Sequence, residues 1–142
     1  MPSDLMTLSL TRRTTTPANI DAVELRGIQT SDRDALATAY LAAYPPGVAA
    51  TSLNDARQEM DDTFTGEFGA LRHDLTRVAT FEDRPVGAIL VVGKSIWDPQ
   101  LHGPFIIDLF VHPDVRGVGG GRALLDDALH ACARAEDATL SL

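Results

Sequence analysis

Residues 104–135 constrain the fold more than any other part of the chain. They begin with seven mostly β-branched or aromatic residues, FIIDLFV, at positions 105–111, and prolines stand nearby on both sides at 104 and 113. This composition predicts a strand buried on both faces, at the centre of a sheet. A turn, His112-Pro113-Asp114, and a glycine-rich segment, VRGVGGGR, then lead into a predicted helix.

The predicted helix is amphipathic and begins near Gly121. Its apolar positions are three and four residues apart, at Leu124, Leu125, Ala128, Leu129 and Cys132, and charged or polar residues fill the opposite face. Four glycines precede or open this helix, at a point where backbone N–H groups lack intrahelical partners and the helix dipole favours negative charge. The pattern therefore predicts an anion site, with a pyrophosphate as the favoured ligand.

Two common phosphate-binding loops do not fit this segment. A P-loop requires Lys followed by Ser or Thr, where this chain has Arg122-Ala123. The dinucleotide fingerprint requires a third small residue, where this chain has Arg122 or Leu124, depending on the first glycine counted. A site for another phosphate ligand, or a turn that only joins strand to helix, remain as alternatives.

The segment resembles the Arg/Gln-x-x-Gly-x-Gly/Ala loop of the GCN5-related N-acetyltransferase (GNAT) family. Arg116, Gly119 and Gly121 occupy the three motif positions, and the preceding DLFVHP at 108–113 resembles the strand that leads into that loop. The resemblance covers residues 22–142 and implies the α/β fold of the family, a mixed central sheet flanked by helices. Residues 1–21 are predicted to be a tail or an edge strand.

The remaining elements follow the same order as in the family. We predict a strand at 23–28, a helix capped by Thr30-Ser31-Asp32, a second helix from Ser52 or Asn54 towards Phe64, hairpin strands at 75–81 and 86–92, and a strand at 138–142 parallel to the central one.

The family continues beyond that last strand with a helix and two more strands. They form one wall of the acetyl and pantetheine groove and often carry a Tyr that protonates the leaving thiolate. This sequence offers no such residue, so the resemblance implies a C-terminally truncated fold with an exposed final strand. The chain would be a fragment, a subunit completed by a partner, or a degenerate member of the family.

The resemblance implies acetyl-CoA as co-substrate. Backbone N–H groups would face the pyrophosphate, Arg116 would add positive charge, and the backbone of the central strand would pair with the pantetheine arm. The implied binding residues are Leu109, Phe110, Val111, Arg116, Gly117, Val118, Gly119, Gly120, Gly121 and Arg122.

Asp108 is the candidate catalytic residue because it is the one charged residue inside the central strand. An amine acceptor with a pKa of about 10.4 must lose a proton before it attacks, at a cost of about 4–5 kcal/mol near neutral pH. A carboxylate can take that proton. Hydrogen bonding within the fold is the alternative role for Asp108. Cys132 lies on the predicted buried stripe, so direct transfer is favoured over a covalent cysteine intermediate.

Other polar residues have weaker signals. The acidic group Glu59, Asp61, Asp62 and Glu67 would attract a cationic amine or, as we favour, form the solvated face of a helix. Tyr40 and Tyr44 would line an acceptor site or pack in the core. His112 is interpreted as a turn residue, and His73 and His102 have no metal-ligand spacing, so no metal is predicted.

The composition limits the possible partners. The chain has 142 residues, enough for one domain, with 12 Lys and Arg against 20 Asp and Glu and a net charge of −8. That charge disfavours nucleic acid and is compatible with cationic partners. The sequence shows neither a membrane-spanning run nor a secretory signal, which predicts a cytoplasmic protein without a membrane partner.

Together these features predict an acetyl-CoA-dependent N-acetyltransferase that acts directly on a primary amine of a small molecule or peptide. The alternative is a non-catalytic acyl-CoA-binding or protein-interaction module with a degenerate fold. Such a module could form a homodimer through its exposed last strand.

Overall fold

The computed structural model describes residues 7–9, 23–115, 120–134 and 139–141. Within these ranges, one six-stranded mixed sheet has the order β1-β6-β5-β4-β3-β2 and three α-helices pack against it. The strands are β1 Thr7–Ser9, β2 Glu24–Arg26, β3 Arg77–Phe81, β4 Arg84–Val92, β5 Phe105–Val111 and β6 Thr139–Ser141, and the helices are α1 Arg33–Ala43, α2 Leu53–Thr65 and α3 Gly120–Arg134.

The predicted fold class, a mixed sheet flanked by helices, is confirmed. β5 has the bounds predicted from its apolar run, and it pairs with β4 in antiparallel and with β6 in parallel orientation. The described residues of β6 pair with β5 at one position, where Ser141 lies opposite Phe105.

The hairpin of β3 and β4 differs slightly from its predicted limits. Glu82 and Asp83 form its turn with φ values of 51° and 63°, the left-handed conformation of a tight hairpin. β3 begins at Arg77, two residues later than predicted. The reason is Thr76, whose Oγ1 accepts a hydrogen bond from the Val91 amide at 3.0 Å and thereby replaces backbone pairing.

Two apolar clusters hold the helices on opposite faces of the sheet. α3 buries Leu124, Ala128 and Leu129 against one face, where Cys132 is fully buried as a core residue. α1 and α2 cover the other face with a second cluster. That cluster includes Leu36, Tyr40, Ala56, Met60, Leu90 and Phe110.

The α1 and α2 pair is fixed at its ends and across its surface. Ser52 caps α2 by accepting a hydrogen bond from the Asp55 amide at 3.1 Å, and Gly66 ends the helix with a φ of 87°, which glycine adopts without strain. Arg33 of α1 forms two hydrogen bonds with the carboxylate of Asp61 in α2, at 3.0 and 2.7 Å. The two helices therefore hold their inward-facing side chains in a defined position.

The outer edge of β6 is covered. β1 pairs with it in antiparallel orientation, with Leu8 opposite Leu140. The prediction that this strand is exposed is wrong for its described residues, because a segment far away in sequence supplies a neighbouring strand.

Candidate functional site

A β-bulge in β5 directs Asp108 towards α1 and α2. Asp108 pairs with Leu90 of β4, but the next pair joins Val91 to Ile106, which leaves Ile107 as an extra residue. Ile107 packs in the cluster beneath α1 and α2, and Asp108 lines a cavity on the same face. Residues 107–109 are consequently only partly buried, so the prediction of a strand buried along its whole length is wrong at its centre.

The cavity has a volume of about 670 Å³ and lies between α1, α2, β5 and the neighbouring loops. This is a typical volume for a small-molecule site. Its lining is mostly apolar and aromatic, with two carboxyl groups: Tyr40, Tyr44, Val48, Ala49, Glu59, Phe68, Trp97, Ile107, Asp108 and Leu109.

Asp108 is the most perturbed carboxyl group of the cavity. The pKa of Asp108 is raised from 3.8 to about 7, mainly by burial and also by the negative charge of Glu59, while a hydrogen bond from Tyr44 partly opposes the increase. The Tyr44 hydroxyl lies 3.4 Å from Oδ1 of Asp108. A carboxyl group that titrates near neutral pH can accept a proton and release it again under physiological conditions.

Glu59 belongs to the acidic group for which we favoured a solvated face, but the structure places it at the cavity. It lies on α2 beside the buried residues Ala56, Met60 and Thr63 and lines the cavity. Burial raises the pKa of Glu59, and the neighbouring charges of Asp62 and Asp55 add to that increase. The signal was present in the sequence, because Glu59 shares the three-and-four spacing of that buried stripe.

The other members of the acidic group do not line the cavity. Asp61 pairs with Arg33, Asp62 accepts a hydrogen bond from Gln58 at 2.8 Å, and Glu67 is exposed just beyond α2. The interpretation as a solvated face fits these three residues but not Glu59.

Trp97 reaches the cavity from the loop between β4 and β5. The Ser95 hydroxyl accepts hydrogen bonds from the amides of Trp97 and Asp98, each at 3.1 Å, and fixes the turn. The indole ring stacks on Phe68 with 6.0 Å between ring centroids. Trp97 keeps 46% of its surface exposed and Val48 67%, so both lie at the mouth of the cavity.

The first turn of α3 lies beside the end of β5. A Cβ atom built on Gly121 would lie 3.8 Å from Cγ2 of Val111. Arg122 is mostly exposed and forms an ion pair with Asp126 at 3.6 Å. Phe110 is core, in edge contact with Tyr40. The predicted binding residues Arg116, Gly117, Val118 and Gly119 lie outside the described residues.

His112 lies in a turn, as predicted. His112 precedes a 3₁₀ turn, Pro113–Val115, and its Nδ1 accepts a hydrogen bond from the Asp114 amide at 3.1 Å, as a turn residue does.

The described ranges contain no candidate metal site and no candidate membrane span. No group of three or more His, Cys, Asp or Glu in these ranges is placed to hold a metal ion. None of the helices in those ranges is long and apolar enough to cross a membrane.

Comparison with known proteins identifies the family. A sequence profile described as the acetyltransferase (GNAT) family matches residues 34–142. Among curated proteins, no significant sequence match is found.

Solved structures share the fold at low sequence identity. A GCN5-related N-acetyltransferase from Sphaerobacter thermophilus has a TM-score of 0.70 and 19% identity, over 97% of this chain and 40% of that one. A GNAT family acetyltransferase from Brucella melitensis, in complex with acetyl-CoA, has a TM-score of 0.60 and 19% identity, over 80% of this chain and 70% of that one. The GNAT-like decarboxylase GphF, in complex with isobutyryl-CoA, has a TM-score of 0.54 and 23% identity, over 77% of this chain and 58% of that one.

The first of these structures is much longer than this chain, which spans only 40% of its length. The profile match nevertheless covers more than half of the chain, and it includes the central strand, the glycine-rich loop and the following helix. The chain therefore belongs to the GNAT acetyltransferase family.

Proposed function

We propose that the chain is an acetyl-CoA-dependent N-acetyltransferase that transfers acetyl directly to a primary amine of a small molecule or peptide. Membership of the GNAT family supports acyl transfer in general. The observation that supports an amine acceptor is Asp108, a carboxyl group with a pKa of about 7 on β5 at a ligand-sized cavity.

The proposed co-substrate is acetyl-CoA, which the Brucella melitensis relative binds in its structure. The pyrophosphate would lie at Arg116 to Arg122, against the N-terminus of α3, where free N–H groups favour an anion. Val111 is next to that helix turn and three residues from Asp108, about 10 Å along a strand. The backbone of Leu109 to Val111 would guide the pantetheine arm across this distance.

The chemistry requires one proton transfer before bond formation. The ammonium group of the acceptor gives a proton to the Asp108 carboxylate, directly or through water. The neutral amine nitrogen then attacks the thioester carbonyl carbon, the new C–N bond forms and the C–S bond breaks. The nitrogen then loses its surplus proton and the departing thiolate gains one, directly or through water, so that CoA leaves as the thiol and the product is a neutral amide.

The carboxyl group is suited to this role by its environment. With a pKa of about 7, a large fraction of Asp108 is ionised at neutral pH, and the carboxylate is more basic than an ordinary aspartate. Tyr40 stays a neutral phenol because burial and the charge of Asp108 raise its pKa.

Calorimetric titration with acetyl-CoA, and with CoA as control, tests the proposal, followed by an amine screen that detects released thiol. We expect stoichiometric binding and amine-dependent thiol release. Gly119→Glu should abolish acetyl-CoA binding while the helical circular dichroism signal is kept. Gly27→Glu adds the same charge at a glycine with no atom within 4 Å of a built Cβ, and it should bind normally.

Three outcomes would contradict the proposal in different ways. A folded chain that does not bind acetyl-CoA would overturn it. Binding without transfer to any amine would favour the non-catalytic acyl-CoA-binding module. Equal affinities of Gly119→Glu and the parent chain would remove the glycine-rich loop from the site.

A further inference from the structure

We propose that the acceptor is a small primary monoamine with an apolar carbon skeleton, of the arylalkylamine type. Its ammonium group lies beside Glu59 and Asp108, and its apolar group contacts Trp97 and Val48. This inference rests on the proposed function and narrows the acceptor to one chemical class.

The mouth of the cavity has an exposed apolar surface, which supports an acceptor with an apolar group. Val48 and Trp97 are two of the three large hydrophobic side chains that are exposed in the described part of the chain. Trp97 is also held rigidly, since its amide bonds to Ser95 and its ring contacts both Phe68 and Phe105. A fixed and exposed aromatic surface at a cavity mouth is suited to contact an apolar ligand group.

The charge of the cavity lining supports an acceptor with a single ammonium group. Two of its described lining residues are acidic, Glu59 and Asp108, and none of them is Lys, Arg or His. These two carboxyl groups would repel an anionic acceptor, whereas a single ammonium group finds carboxylate oxygens and the faces of aromatic rings. A second ammonium group, as in a polyamine, would lie against the apolar mouth without a charge partner.

The protein contains a reporter for this test. Trp97 is the only tryptophan in the sequence, so its fluorescence monitors the cavity in the complete chain without any catalysis. We would titrate the chain with phenethylamine, phenethyl alcohol, ethylamine and spermidine, with and without CoA. Phenethylamine should give saturable quenching, and each of the other three should bind at least about tenfold more weakly.

A pair of matched variants tests the role of Glu59. Glu59→Gln should weaken phenethylamine binding by about tenfold and leave phenethyl alcohol unchanged. Glu67→Gln removes the same charge from an exposed position outside the cavity and should behave like the parent chain. Because both side chains are at least partly exposed and keep their size, loss of folding is not expected from either variant.

The inference is overturned if ethylamine or spermidine binds as tightly as phenethylamine, or if Glu59→Gln has no effect. It is also overturned if none of the four compounds alters the fluorescence in either condition. These readouts need no acetyl transfer. Failure of the proposed function would instead appear as absent acetyl-CoA binding or absent thiol release, while phenethylamine still bound.

Discussion

The hydroxyl of Tyr44 lies 3.4 Å from Oδ1 of Asp108, and the Tyr44 hydroxyl also lies 3.5 Å from the carbonyl oxygen of Leu109. Tyr44 follows the last residue of α1, and Asp108 stands at the bulge of β5. The contact therefore connects the helix layer to the strand at the point where the proposed proton transfer occurs.

Asp108→Asn should lower kcat/KM for amine acetylation by about 10²–10⁴-fold, because the amide cannot accept the proton of the ammonium group. In the parent protein, kcat/KM should fall as the pH drops below about 7, where the carboxylate becomes protonated. The measurement is a pH profile of initial rates for both proteins. A parent profile that is flat between pH 6 and 8, or an unchanged rate in the variant, would return Asp108 to a structural role.

Tyr44→Phe should raise the pKa of Asp108, since the hydrogen bond from Tyr44 lowers it. The acid limb of the rate profile should then move to higher pH. A hydrogen bond of about 0.5–1.5 kcal/mol corresponds to a decrease in kcat/KM of about two- to tenfold at slightly acidic pH. At high pH, where Asp108 is ionised in both proteins, the rates should converge. A decrease of equal size at every pH would contradict this explanation.

Asp108 should also make the stability of the protein depend on pH. Its pKa is 3.8 in an ordinary aspartate and about 7 in the folded chain, so the folded state binds this proton more tightly than the unfolded state. The contribution of Asp108 to stability is therefore greatest below the ordinary pKa, and it is lost as the pH rises towards 7.

Asp108→Asn should consequently stabilise the chain more at pH 8 than at pH 5, by a difference of about 1–3 kcal/mol. Urea unfolding at the two pH values measures the difference, with Glu67→Gln as an exposed control of similar chemistry. A variant that is less stable than the parent at pH 8 would show that the ionised carboxylate is well compensated in the fold.

Gly87→Ala should destabilise the fold by about 1–3 kcal/mol. A Cβ atom at this position would lie 2.5 Å from the carbonyl oxygen of Phe110 and 3.0 Å from Cα of Val111, so β4 and β5 would have to separate. Gly27→Ala is the matched control, because its Cβ would meet no atom within 4 Å. Thermal unfolding of both variants checks the prediction, and equal midpoints would contradict the close approach of the two strands.

The sequence alone predicted the pair of β5 and α3. Its signals are local, since an apolar run, a turn, a glycine cluster and a helical stripe follow one another within residues 104–135. Backbone propensity and apolar spacing act over a few residues, so they can be recognised in the sequence without knowledge of tertiary contacts. The parallel placement of β6 also followed from sequence, because the strand–helix–strand connection has a strongly preferred hand.

The assembly of the cavity depends on contacts between residues that are far apart in sequence. Tyr44 and Asp108 are 64 residues apart in sequence, and Glu59 and Trp97 join them from a separate helix and loop. The side of β5 that Asp108 occupies depends on a bulge in its register with β4, which no pattern within residues 105–111 reveals. Its pKa in turn depends on burial and on Glu59, and both exist only after these elements have packed together.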